Sequence, residues 1–242
     1  MIRVNRAIPT DKIKLLVFDL DGTLVDSKAD LTKSINAMLR HYQRPELPEE
    51  VIGSYVGDGA PMLVRRALGD PQDEQFVQDA LKYFMTYYRE HKLDHTYVYE
   101  GVLDALTWMR LSNPELKMAV LSNKPVNPSR GICEGLGLSN YFVQVYGGNS
   151  FETKKPDPEG ALTLLDEAGV RADEAVMIGD SQNDILTAQN AGMYSLGVTY
   201  GFSPESLKTH PPDVLVDTVA EMAEALTNHR LVPGQNGPHI VS

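Results

Sequence analysis

The run Phe18-Asp19-Leu20-Asp21-Gly22-Thr23-Leu24 constrains this chain more than any other feature. It sets two carboxylates two residues apart at the end of an apolar stretch, Leu15 to Phe18, that reads as a buried strand. Residues two apart on a strand point the same way, and even where the strand ends both acids stay at one edge of the sheet. Gly22 lets the backbone turn tightly and approach a ligand. Two neighbouring acids repel, so one titrates high or both share a cation. The pattern suits an Asp nucleophile, an Asp acid/base and a bound divalent metal.

The chain around this run changes rhythm twice. From about Asp26 to Tyr97 strand signals are sparse and apolar residues recur at helical spacing: Leu31, Ile35, Met38 and Leu39, then Met62, Leu63 and Ala67, then Phe76, Ala80, Phe84 and Tyr88. After Gly101 strands and helices alternate. Strands are expected at 117–121, 143–146, 175–178, 195–198 and 214–216, with helices near 128–136, 157–168, 183–191 and 219–226. Such alternation implies a parallel sheet covered on both faces. The fold expected is therefore α/β: a Rossmann-like parallel-sheet core, residues 1–25 and 98–242, with an all-helical cap, residues 26–97, inserted after the first strand. Residues 1–13 read as a leader before the sheet and 228–242, rich in Pro and Gly, as a loose tail. Crevices at strand C-termini are where α/β sheets bind ligands, so the cap would cover Asp19.

Bulk properties narrow the partners. With 242 residues, 42% of them hydrophobic, the chain has enough apolar mass for a real core, and its net charge of −11 argues against a nucleic-acid or anionic-membrane surface. An anionic substrate would need positive charge supplied locally. The single cysteine, Cys133, excludes an internal disulfide framework and fits a reducing, cytoplasmic setting. The first twelve residues lack the apolar run of a signal peptide, and nothing approaches a membrane span. The oligomeric state is not legible.

Three further clusters fall, like Asp19 and Asp21, at the ends of expected parallel strands. Ser122-Asn123-Lys124 offers a hydroxyl, an amide and backbone N–H groups suited to a phosphate oxygen. Lys155-Pro156-Asp157-Pro158 holds a lysine in a stiff turn. Gly179-Asp180-Ser181-Gln182-Asn183-Asp184 opens a helix and puts two more acids near the sheet edge. Singly, each has an ordinary structural explanation as a helix cap, a surface lysine or a helix-start acid. Together they form an inventory for phosphoryl transfer: acids for a metal, and a lysine and a hydroxyl for an anion.

In order, FDLDGT at 18–23, LSN at 121–123, KPDP at 155–158 and GDSQND at 179–184 resemble the four motifs of the haloacid dehalogenase-like hydrolase superfamily. The resemblance spans about residues 14–226. It implies that Asp19 is the nucleophile, forming an aspartyl-phosphate, and that Asp21 is the general acid and then base. It implies that Gly22, Thr23, Ser122, Asn123 and Lys155 hold the transferring phosphate, with Lys155 also tying down Asp19. Mg²⁺ is the implied cofactor, held by Asp19, Asp180 and the main-chain carbonyl of Asp21, with Asp184 acting directly or through water. Within the superfamily, DLDGTLVDS at 19–27, VGDGAPMLVRRAL at 56–68, SNKP at 122–125 and GVTYGF at 197–202 resemble the phosphoglycolate phosphatases. One departure is Glu100 before Gly101, where that family usually has proline.

The expected activity is hydrolysis of a small phosphorylated metabolite, 2-phosphoglycolate giving glycolate and phosphate. The cap segment Gly57-Asp58-Gly59, with Arg65 or Arg66 nearby, is the candidate for contacting the substrate carboxylate. The same segment also reads as a cap for the helix that follows. Other substrates stay open: a sugar phosphate, a nucleoside monophosphate or pyrophosphate. A dehalogenase lacks the second acid, and a β-phosphoglucomutase-like enzyme usually has histidine where this chain has Leu31. A phosphate-responsive binding or regulatory protein is the non-enzymatic alternative, opposed by the intact acid and lysine set.

Overall fold

The computed structural model describes residues 1–227, together with the backbone of two short strands beyond them. In chain order the elements are β1 (Arg3–Val4), β2 (Leu15–Phe18), β3 (Val25–Asp26), α1 (Lys28–His41), α2 (Glu49–Gly53), α3 (Ala60–Ala67), α4 (Glu74–His91), β4 (Tyr97–Val98) and α5 (Val102–Ser112). The chain continues with β5 (Lys117–Leu121), α6 (Val126–Gly135), β6 (Gln144–Tyr146), α7 (Glu159–Ala168), β7 (Ala175–Gly179) and α8 (Gln182–Ala191). Last come β8 (Tyr194–Val198), α9 (Ser206–Thr209), β9 (Val214–Val216), α10 (Val219–Thr227), β10 (Arg230–Val232) and β11 (His239–Val241).

Seven strands form one sheet in the order β1-β9-β8-β7-β2-β5-β6. All its pairs are parallel except β1 with β9. Period-two alternation builds a core on each face. Leu16 and Phe18 of β2, Met118 and Val120 of β5, and Val176 and Ile178 of β7 pack beneath α5, α6 and α10. Their sequence neighbours Leu15, Val17, Ala119, Leu121, Ala175 and Met177 pack on the opposite face against α7 and α8. Burial on both faces explains why these strands read as continuous apolar runs.

The two chain ends differ from their sequence reading. The leader is not outside the fold: β1 pairs antiparallel with β9, Arg3 opposite Leu215 and Val4 opposite Val214, and so becomes an edge of the sheet. Its two residues are exposed, which is why no apolar pattern marked it as a strand. In the expected tail, β10 and β11 pair antiparallel from Arg230–Val241 to Val232–His239; the rest of 228–242 lies outside the described residues.

The cap is four helices around their own apolar cluster. Leu31, Ile35, Met38 and Leu39 of α1 meet Leu63 and Val64 of α3 and Val77, Ala80, Phe84 and Tyr88 of α4. The i, i+4, i+7 spacing on α1 and the i, i+3, i+7, i+11 spacing on α4 place these residues on one stripe each. Asp73 caps α4 by accepting the Phe76 N–H at 3.0 Å. The chain enters and leaves the cap through adjacent strands, since β3 and β4 pair with Val25 opposite Val98. Beside them Asp30 of α1 accepts the N–H groups of His95 and Thr96 at 2.9 and 2.8 Å and the Thr96 hydroxyl at 2.8 Å. Burial opposes the Asp30 charge, but these hydrogen bonds outweigh it and lower its pKa. Among the described residues no helix is long and apolar enough to cross a membrane.

Candidate active site

Asp19 and Asp21 follow β2, Ser122 and Asn123 follow β5, Lys155 lies in the loop after β6, and Asp180 follows β7. The parallel register aligns the ends of these strands, with Phe18 beside both Val120 and Ile178. Parallel strands that end together deliver the residues after them to one place, so segments 160 residues apart in the chain share a site.

Lys155 links the acids. Its ammonium lies 2.9 Å from Asp19 Oδ1 and 2.5 Å from Asp184 Oδ1, all three side chains being buried. A cis Lys155–Pro156 peptide directly follows it in this loop, and the Asn123 amide donates to the Lys155 carbonyl at 2.9 Å. Although the ammonium pairs with it, Asp19 Oδ1 accepts no hydrogen bond of regular geometry. Asp184 also serves α8: its Oδ2 accepts the Ser181 N–H at 3.1 Å and hydroxyl at 2.8 Å, closing a capping box. Asp180 is gripped from another loop, its Oδ2 accepting the N–H groups of Phe202 at 2.5 Å and Ser203 at 3.2 Å. Gly22 and Gly201 make this grip possible, because a Cβ on either would collide with the Asp180 side chain.

Asp19, Asp180 and Asp184 offer carboxylate oxygens within 4.8 Å of one another. Burial raises the Asp19 pKa to about 6, against the pull of Lys155. Burial also raises Asp180 well above its ordinary value, with repulsion from Asp184 and Asp19 added. One lysine does not neutralise three buried carboxylates. The charge deficit and an all-oxygen donor set fit a hard divalent cation such as Mg²⁺.

Asp21 stands apart from this group. Its Oδ1 accepts the Ser27 hydroxyl at 2.6 Å, and Lys124 donates to both its oxygens, at 3.0 and 2.8 Å. Burial works against the Lys124 charge, but the ion pair overrides it and raises the lysine's pKa. The Asp21 side chain is so engaged, and it is not one of the three carboxylates that lie together. Lys124 was present in the strand-end motif, but its pairing with Asp21 was not foreseen; the signal was a lysine directly following the Ser-Asn pair. The grip of Phe202 and Ser203 on Asp180 was also missed, though GVTYGF at 197–202 had been singled out.

The cap segment sits against this floor. Gly57 and Gly59 both have positive φ, at 121° and 84°. The Gly57 carbonyl accepts the Asn123 amide at 2.8 Å and the Asn183 amide at 3.3 Å. Asp58 accepts the Asn183 amide at 3.0 Å, and its carbonyl accepts Lys154 at 2.5 Å. Gly57 and Gly59 line the cavity between floor and cap, whereas Asp58 faces the core loops as a latch. Arg66 is occupied by Asp58 and the Tyr55 carbonyl, and Arg65 by Glu74 and the Pro71 carbonyl, so neither faces the cavity as the sequence had suggested. Ser122 lines it; the Thr23 hydroxyl is buried with no hydrogen-bond partner among the described residues.

The chain matches the family model for haloacid dehalogenase-like hydrolases over residues 16–198. It is 38% identical to a phosphoglycolate phosphatase of Chromobacterium violaceum over 89% of this chain and 97% of that one. It is 36% identical to phosphoglycolate phosphatase 1 of Pseudomonas aeruginosa over 86% of this chain and 78% of that one. Among solved structures, a predicted phosphoglycolate phosphatase from Haemophilus somnus superposes with a TM-score of 0.82 at 30% identity, covering 88% of this chain and 97% of that one. The chain belongs to the haloacid dehalogenase-like hydrolase family, and it is a phosphatase.

Proposed function

We propose that the protein is a Mg²⁺-dependent phosphomonoesterase that works through an aspartyl-phosphate on Asp19 and takes 2-phosphoglycolate as its substrate. The observation that carries this reading is the convergence of Asp19, Lys155, Asp180 and Asp184 from three separate loops at one sheet edge. The substrate follows from the likeness to phosphatases of that name over nine-tenths of the chain. We place the enzyme in the cytoplasm, acting on a small metabolite; the lone buried Cys133 accords with a reducing compartment. We divide the chain into a catalytic core of residues 1–25 and 98–242, of which the part beyond 227 lies largely outside the described residues, and a cap of residues 26–97, the separate apolar cluster of the helices supporting this division.

Asp19 attacks phosphorus in line, and the bond to the leaving alkoxide breaks as Asp21 gives that oxygen its proton. Water then attacks the aspartyl-phosphate; Asp21 takes the water's proton, phosphate leaves and the Asp19 carboxylate is restored. Lys155 holds Asp19 and meets the phosphoryl oxygens, with Ser122 and the main chain near Gly22 and Thr23 beside it. Asp184 orients Lys155, and Asn123 fixes the loop that carries it. Asp19, Asp180 and the Asp21 carbonyl would hold Mg²⁺, which would screen the repulsion between an anionic nucleophile and an anionic substrate. The cap excludes bulk water during the first step.

The test is release of p-nitrophenol from its phosphate ester with Mg²⁺ and then with EDTA, followed by a panel of phosphoglycolate, sugar phosphates, nucleotides and pyrophosphate. Metal-dependent release with phosphoglycolate at the highest kcat/KM supports the reading. Absence of metal-dependent release favours a binding protein, and more than about a tenfold preference for another substrate overturns the substrate alone.

A further inference from the structure

Between the acidic floor and the cap lies a cavity of about 620 Å³, part of it open to solvent. Its cap side is apolar, formed by Leu31, Val56, Leu63, Phe84 and Met85. Lys124 is the one lysine or arginine lining it among the described residues. Lys155 is committed to Asp19 and Asp184, and Arg65 and Arg66 are paired elsewhere. A second anion on a substrate whose phosphate sits at Asp19 therefore has a single cation to meet.

The surroundings of Lys124 fit that task. It is buried, and its ammonium stands 4.7 Å from the centre of the Tyr88 ring. Tyr88 comes from α4 of the cap and also lines the cavity; its buried hydroxyl makes no hydrogen bond of regular geometry among the described residues, and the charged group acting on it is the Lys124 ammonium itself. An ammonium cannot accept a proton, so the Tyr88 O–H remains free to donate to an incoming acceptor placed beside Lys124. An ammonium carries three N–H donors, of which Asp21 takes two. The apolar walls supply nothing for the hydroxyls of a sugar, which would be desolvated without partners.

We propose that Lys124 and the Tyr88 hydroxyl together receive the carboxylate of a short phosphorylated acid, with Lys124 turning from Asp21 to the incoming group. This rests on the reading of the protein as a phosphoglycolate phosphatase and names the residues that make the choice. Lys124 belongs to the core and Tyr88 to the cap, so the carboxylate is recognised by both only when the cap lies over the site.

The experiment compares kcat/KM for 2-phosphoglycolate and for ethyl phosphate, which carries a methyl group where the acid carries its carboxylate. The wild-type protein, Lys124→Met, Lys124→Arg and Tyr88→Phe are assayed with Mg²⁺. The wild type is expected to favour phosphoglycolate. Lys124→Met should lower that ratio by about 100-fold, the usual scale for removing one partner of a buried charged hydrogen bond. Lys124→Arg should restore part of it, and Tyr88→Phe should lower it by about fivefold. A folded Lys124→Met protein that loses both activities equally overturns the proposal, because Lys124 would then act on Asp21 alone. If that variant does not fold, an unchanged ratio in Tyr88→Phe overturns it instead. A wild type that cleaves both esters equally well removes the substrate assignment and this proposal with it. A wild type that cleaves neither removes the proposed function itself.

Discussion

The floor and the roof of the cavity are built on opposite principles. The floor is charge: Asp19, Asp21, Asp180 and Asp184 are buried, and among the described residues Lys124 and Lys155 are the cations paired with them. The roof is apolar packing, and its main polar feature is the Tyr88 hydroxyl. A floor of this kind is costly to the fold, since buried carboxylates raise one another's pKa and would be more stable dispersed in water. A roof of this kind stabilises the fold as any small helical bundle does. The difference separates chemistry, which the fold must support at a cost, from choice of substrate, which it can alter by exchanging side chains in a stable packing.

Asp19→Asn is the sharpest way to break that contrast. Turnover should fall by on the order of 10⁴-fold or more, as for removal of other nucleophiles. The fold should remain, and the metal-free protein should be no less stable, because one repelling charge has gone. Phosphate release assayed alongside circular dichroism checks both halves; substantial activity in the folded variant refutes the nucleophile assignment.

Lys155→Met and Leu63→Ala make a matched pair. The first strands Asp19 and Asp184 without their cation, a loss of about 3–5 kcal/mol. The second opens a cavity beneath the roof for about 2–5 kcal/mol. Urea unfolding should therefore show similar losses, while turnover falls by orders of magnitude only for Lys155→Met. Equal effects on turnover would mean that the roof does more than enclose.

The floor should also make stability depend on pH in the direction opposite to most carboxylates. Burial raises Asp19 from 3.8 to about 6. Between those values the folded protein holds a proton that the unfolded chain has released, so metal-free stability falls as pH rises through the window. Its scale is about 3 kcal/mol for a shift of this size. Asp180, also raised, adds to the same trend. Thermal melts across this range in EDTA should show the loss, and Mg²⁺ should abolish it by supplying the missing positive charge. A flat profile in EDTA would place the floor's neutralisation elsewhere.

The floor was far more legible in the sequence than the roof. Asp19, Asp21 and Asp180 each come just after a short apolar run and lie close to a glycine, so their place at a strand end could be read locally, and Lys155 was marked by the stiff turn at Pro156. What could not be read was pairing: Lys124 meets Asp21 across 103 residues, and no local pattern encodes that contact. Phe84 and Tyr88 were read as cap packing, and they do pack, with ring centroids 5.6 Å apart. That they also line the cavity depends on how the cap lies over the sheet, which helical periodicity does not determine. The missed strand β1 has the same cause, since its two residues are exposed and its place is fixed only by β9.

The latch between the two regions gives the smallest expected effect and the finest test. Asn183 donates to Asp58 and to the Gly57 carbonyl, joining the fourth motif to the cap segment. Asn183→Ala removes this link but leaves Lys154 and Asn123 holding the same segment. Loss of one net hydrogen bond is worth about 1 kcal/mol, so KM should rise about fivefold if the latch serves to hold the cap down. The kcat should change little, because no group at phosphorus has moved. Steady-state kinetics on phosphoglycolate separates the cases: a fall in kcat of two orders of magnitude at constant KM would move Asn183 from the hinge of the roof to the chemistry of the floor.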